Sequence, residues 1–210
     1  YPFLRLVAAQ RTPVLLSTGA SRADEVFQAI EVLESGGLSR SQITVMQCTT
    51  EYPAPLEEAN LLAMTGMGKE WGVSVGYSDH TSGHHAAIAA VALGARVIEK
   101  HITLDRDMEG PDHASSLEPT EFSEMVTAIR QVEKALGGSA KVVTRAEEHN
   151  RDVIRKSIVA TARIVVGELF SAENLGVIRP GTGLSPMLWP KLIGQLANRS
   201  YRPYDMIEMP

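Results

Sequence analysis

The stretch Arg96-Val97-Ile98-Glu99-Lys100-His101-Ile102-Thr103-Leu104-Asp105-Arg106-Asp107-Met108-Glu109-Gly110-Pro111-Asp112 decides the fold. Val97 to Thr103 is short and rich in β-branched residues, and it follows a helical pattern that ends at Gly94-Ala95, so it reads as a strand. Side chains alternate along a strand, which places Glu99, His101 and Thr103 on one face and Ile98, Lys100 and Ile102 on the other. The second face is apolar apart from Lys100, whose long stem can lie along it while the ammonium reaches water. The first face carries a carboxylate, an imidazole and a hydroxyl in a row, which packing alone does not call for. The acidic, turn-rich segment Asp107 to Asp112 that follows is suited to cover a site.

Val73-Ser74-Val75-Gly76-Tyr77-Ser78-Asp79-His80-Thr81 repeats the arrangement, with Gly76, Ser78 and His80 on one face. His80 and His101 then stand at the carboxyl ends of two strands separated by one helix. Imidazole is the commonest protein metal ligand, so the pair is a candidate metal site. Two hydrogen-bonded histidines at strand ends are the plainer alternative. His84 and His85, in the first turn of the intervening helix, fit a solvated or capping role.

Two further strands precede these, Val14 to Gly19 and Ile43 to Thr49. Helical patterns separate them: an opening one from Tyr1, one after Ser21 with Val26, Ala29, Ile30 and Leu33 as its stripe, and one from about Glu57 to Met64. Gly83 to Leu93 is alanine-rich and able to approach a sheet closely. Pro119 opens a long amphipathic helix that Gly137-Gly138 ends. Strand and helix thus alternate four times, each strand ending in polar residues, as in a parallel α/β architecture with its chemistry at the carboxyl ends of the strands. Four such units make a small open sheet or half of an eight-stranded barrel. Tyr1 already lies inside a helical pattern, which reads as entry midway through a repeating unit.

From Gly138 to Arg155 the pattern dissolves into charged and small residues, read as a linker. Beyond it lie short apolar runs between turn residues (Ser157 to Ala160, Leu169-Phe170, Leu175 to Val177, Leu192-Ile193, Met206-Ile207), which predict a compact, mostly β domain over 156–210. Within it Arg179 sits on the loop Arg179-Pro180-Gly181-Thr182-Gly183. That loop either presents a guanidinium to an anion or simply exposes an arginine.

Composition limits the function. The 210 residues are 44% hydrophobic and 21% charged with a net charge of -5, and no basic run suggests a nucleic-acid surface. No apolar run reaches membrane-spanning length. The single cysteine, Cys48, rules out an internal disulfide and fits a reducing, cytoplasmic compartment.

Six segments in order resemble the sialic acid (nonulosonate) synthases: Leu16-Ser17-Thr18-Gly19, Cys48-Thr49-Thr50-Glu51-Tyr52-Pro53, Gly76 to Thr81, Glu99-Lys100-His101-Ile102-Thr103, Gly110-Pro111-Asp112-His113 and Arg179 to Gly183. Each alone is weak; six in order are specific. The resemblance implies a (β/α)8 TIM-type barrel followed by a small antifreeze-like SAF domain of β-clip form. Residues 1–137 would supply about the last four βα units, 138–155 the linker and 156–210 the SAF domain.

The family condenses phosphoenolpyruvate with an N-acetylmannosamine-type sugar and releases phosphate. By resemblance, His80 and His101 would hold a divalent ion, Mn2+ or Mg2+, beside Glu99 in a catalytic role. Ser17 and Ser78 would bind phosphoenolpyruvate, and Thr50, Tyr52 and Asp112 the sugar. Some members have Asn or Ser at the position of Thr50. Arg179 matches an arginine that reaches the partner's site in a domain-swapped homodimer, and the roughly eighteen-residue linker, extended at about 3.3 Å per residue, has that reach. In the family, the preceding barrel strands contribute an acidic residue and phosphate-binding lysines that this sequence does not contain. A related condensing enzyme without the SAF domain, and a non-catalytic sugar-binding half-barrel, are the alternatives.

Overall fold

The computed structural model describes all 210 residues and divides into two units, Tyr1–Gly138 and Ser139–Pro210. In the first unit, α1 (Pro2–Ala9), β1 (Val14–Ser17), α2 (Ala23–Ser35), β2 (Ile43–Cys48), α3 (Leu61–Trp71), β3 (Ser74–Asp79), α4 (His85–Ala92), β4 (Val97–Lys100) and α5 (Pro119–Leu136) follow in order. The sheet runs β1-β2-β3-β4 with every pair parallel, so spatial order equals chain order. Each strand is followed by a helix that returns the chain to the same end, as parallel pairing requires.

The helices cover one face. Ile30 and Leu33 of α2 pack with Ile43 and Val45 of β2, and Met64 of α3 packs with Tyr77 of β3 and Ala86 and Ala90 of α4. Further along, α4 meets α5 through Ala87, Val91, Met125 and Ile129. Small residues let α4 lie close to its neighbours, and the apolar stripe of α5 faces it.

The strands are shorter than the sequence pattern suggested. β4 ends at Lys100, and beyond it only Ile102 bridges Leu117. The helix expected over 57–64 is displaced. Leu56–Glu58 forms a 3-10 turn, and the α-helix starts after Asn60 and runs to Trp71. Gly68 within it serves close approach, since a Cβ there would stand 3.0 Å from Val75 Cγ1. Gly72, at φ 65°, ends the helix in a left-handed cap that donates to the Gly68 carbonyl. No helix is long and apolar enough to cross a membrane.

The second unit opens with two single-turn helices, α6 (Arg145–Glu148) and α7 (Arg151–Ile154), so this segment is not the extended tether of the sequence reading. At about 1.5 Å per helical residue its reach is correspondingly shorter. Thr144 caps α6 reciprocally with Glu147. β5 (Ser157–Ala160) and β6 (Leu175–Ile178) pair antiparallel, and isolated bridges join Val159 to Met206, Ile164 to Tyr201 and Leu169 to Leu196. Leu192, expected in a strand-like run, instead ends a short helix, α8 (Trp189–Leu192). Ile158, Ile164, Phe170, Leu192 and Tyr201 form the small core.

Candidate active site

Register assembles the site. Ser17, Met46, Gly76 and Val97 lie in one row across the four strands, and two residues further on Cys48, Ser78 and Glu99 lie in the next. Alternation puts both rows on the face away from the helices. One position beyond the last paired residues, Asp79 and Lys100, come His80 and His101. Gly76 is required there: a Cβ would lie 2.3 Å from Met46 Sδ and 2.8 Å from the Val97 carbonyl oxygen.

The two imidazoles meet with ring centroids 5.5 Å apart, nearly perpendicular. Tyr52, from the loop after β2, packs against both, 4.2 Å from His101 and 5.2 Å from His80. Its loop is held by a backbone bond from Ala54 N–H to the His80 carbonyl. Burial pushes the Tyr52 phenol above its ordinary value, while its contact with Ser116 (3.4 Å) works the other way. The phenol therefore stays protonated at neutral pH and able to donate.

The hydrogen bonds assign the ring atoms. His80 Nδ1 lies 2.9 Å from the Thr49 carbonyl, which can only accept, so Nδ1 carries the proton and Nε2 the lone pair. Ser78 Oγ is 3.4 Å from that Nε2, but its proton goes to Glu99 Oε1 at 2.8 Å. His101 Nδ1 faces Asp112 Oδ2 at 3.6 Å. Each imidazole thus has Nδ1 turned to an oxygen, the arrangement that orients metal-binding histidines and leaves Nε2 to bind.

No group of three His, Cys, Asp or Glu side chains forms a metal-holding cluster. The donor set present is two imidazoles, which suits an open site and not a closed structural one.

The structure therefore brings His80, His101, Tyr52, Asp112, Ser78 and Glu99 into one network. Ser78 is buried and Glu99 exposed. Ser17 is exposed at the end of β1, one row short of that network. Thr50 instead packs on the chain at Gly19, where a Cβ would come 2.1 Å from its Oγ1. Arg179 belongs to the second unit, exposed, its Nε donating to the Ile154 carbonyl (3.1 Å). His84 and His85 stack on one another at 5.3 Å.

Two features escaped the sequence reading. Cys48 lies 3.9 Å from His80 Nε2, placed there by its row with Ser78. Lys100 does not reach water. Its side chain and that of Asp79 are wholly buried, with Nζ 3.2 Å from Asp79 Oδ2. Burial pushes the ammonium below the ordinary lysine value, and Asp79 opposes the shift. Burial, with the same Asp79 adding to it, drives the Tyr77 phenol well up. Alternation on β3 and β4 was the available signal for the face each takes, and the register then sets positions 79 and 100 side by side.

A parallel βα half-barrel with polar side chains at its strand ends, joined to a small β unit, defines the class. Residues 1–141 match the NeuB family and 155–206 match the SAF domain. The chain belongs to the NeuB family. It is 45% identical over 206 residues to the N,N'-diacetyllegionaminic acid synthase of Campylobacter jejuni, covering 98% of this chain and 62% of that protein. The crystal structure of spore coat polysaccharide biosynthesis protein SpsE from Bacillus subtilis is 35% identical with a TM-score of 0.60, over 99% of this chain and 63% of that one. N-acetylneuraminic acid synthetase from Leptospira borgpetersenii, in complex with citrate, is 32% identical with a TM-score of 0.65, over 71% and 51%. The chain spans about half to three fifths of the length of the curated relatives it matches.

Proposed function

We propose that this chain carries the catalytic strand ends of a nonulosonic acid synthase, which joins phosphoenolpyruvate to an N-acetylmannosamine-type sugar. The observation that supports it most is the meeting of His80, His101 and Tyr52 beside the Ser78–Glu99 pair at the carboxyl ends of β3 and β4. In the reaction, C3 of phosphoenolpyruvate bonds to the sugar aldehyde carbon, whose oxygen becomes a hydroxyl. Water adds at C2, the C2–O bond breaks and phosphate leaves, giving a nine-carbon 2-keto acid.

His80 and His101 would hold the divalent ion, Mn2+ or Mg2+, through Nε2. When bound, that ion supplies Lewis-acid polarisation of the aldehyde. Glu99 accepts from Ser78 through Oε1, which aims the carboxylate and leaves Oε2 to orient water or take its proton. Tyr52 and Asp112 would bind sugar hydroxyls, Tyr52 as a neutral donor. Ser17 and Ser78 would meet the phosphate or carboxylate of phosphoenolpyruvate, and Thr50 the sugar. Arg179 would reach the sugar's N-acetyl oxygen in the partner's site of a homodimer.

The test is turnover by the complete protein supplied with phosphoenolpyruvate, Mn2+ and N-acetylmannosamine or a diacetylated diamino hexose. Phosphate and a 2-keto acid should appear in equal amounts. Phosphoenolpyruvate that remains intact with every such sugar would overturn the reading, and sugar binding without turnover would favour a binding module.

A further inference from the structure

The buried ion pair Asp79–Lys100 takes no part in the chemistry above, because alternation turns both side chains away from the site. Packing does not require it: apolar residues of similar volume commonly replace a buried ion pair without loss. Its place in the fold is specific. Asp79 immediately precedes His80, Lys100 immediately precedes His101, and the two are partners in the last paired position of β3 and β4.

The pair also grips the next residue. Asp79 Oδ1 accepts from both the N–H and the hydroxyl of Thr81, at 2.9 and 2.8 Å, and Lys100 donates to the Thr81 carbonyl. Asp79 Oδ2 has no hydrogen-bond donor of its own and depends on the Lys100 charge 3.2 Å away. Ala54 bridges to Thr81, so the loop bearing Tyr52 hangs on the same point.

We propose that Asp79 and Lys100 are positioning residues that hold His80, His101 and the Tyr52 loop in register across the ends of β3 and β4. With the last paired residues locked from behind, neither imidazole can slide along or away from the other. His80 Nδ1 then stays on the Thr49 carbonyl and Nε2 stays open. The role bears on catalysis through the proposed function, but the placement of the rings does not depend on it.

The test compares the complete wild-type protein with the double variant Asp79→Asn/Lys100→Met, which removes both charges while Asn can still accept from Thr81. The unfolding midpoint should fall, because the buried Thr81 carbonyl loses the Lys100 donor, but unfolding should stay cooperative. In metal-free protein, the 15N signals of the His80 ring should report a single Nδ1–H tautomer in wild type and a mixture in the variant. Binding of Mn2+ alone, followed by the signal of the free ion, should weaken by about ten- to a hundredfold, as loss of an orienting partner does. Lys100→Arg, which keeps the charge on a planar head, should shift both readings in the same direction and serves if the double variant does not fold. A folded variant with unchanged tautomer and unchanged Mn2+ binding overturns the proposal. Failure of wild type to take up Mn2+ would instead overturn the metal part of the proposed function, and the tautomer comparison alone would then decide the positioning role.

Discussion

The strand ends of β3 and β4 and the loop of Arg179 both gather polar residues, but they are held by different means. At the strand ends a parallel register fixes which side chains stand abreast, and a buried ion pair backs the last row. In the second unit Arg179 stands exposed on a turn, its Nε on the Ile154 carbonyl and its loop tied to α7 by Gly181 N–H donating to the Asp152 carbonyl. A site made by register is specified many times over by ladder hydrogen bonds. A loop residue is specified by its turn and a few single bonds, and its meaning comes from what it meets.

The comparison breaks first at Lys100. Lys100→Met leaves the Asp79 carboxylate buried without its cation, and unfolding by denaturant should show a loss of about 3–5 kcal/mol. A loss under 1 kcal/mol would mean that the pair is not wholly buried in solution.

His101→Ala should leave the unfolding midpoint nearly unchanged. Metal-dependent turnover of the complete protein should fall by more than the roughly hundredfold that an orienting partner alone is worth. Equal turnover by variant and wild type would remove His101 from the chemistry.

Gly76→Ala sharpens the register argument. The new methyl meets a backbone oxygen of β4, which cannot turn aside, and overpacking of this kind costs about 1–3 kcal/mol. Wild-type stability in this variant would show that the rows are more loosely spaced.

Arg179→Ala, in contrast, should alter stability by less than about 0.5 kcal/mol, as exposed substitutions do. In the complete enzyme it should raise the sugar KM, and mixing with His101→Ala chains should restore activity if the arginine serves a partner's site. Mixing that restores nothing would return Arg179 to its own chain.

The smallest effect is at Glu121, which accepts from the Glu118 N–H and pairs with Arg106, and is held below its ordinary value near 4.5. A lowered carboxylate contributes stability above that value and loses it as pH falls through the folded one. Glu121→Gln should therefore lose that contribution at neutral pH and flatten the fall of stability below about pH 4.5, so that variant and wild type converge in acid. An unchanged acid limb would assign that slope to other groups.

Sequence alone determined the alternation of four strands and helices, the apolar stripe of α5 and the two histidines at strand ends. These follow from period and punctuation, which are local properties. It also led to the right family, because six short segments in order are improbable by chance. Tertiary structure decided what period cannot. It set Cys48 beside His80, packed Tyr52 against His101 and shortened β4 at Lys100. It began α3 after Asn60, where close approach to β3 outweighed the helix-weakening glycines. Above all it turned Lys100 from a residue expected to reach water into the partner of Asp79. Alternation names the face a side chain takes, but only the register between strands says which charge waits there.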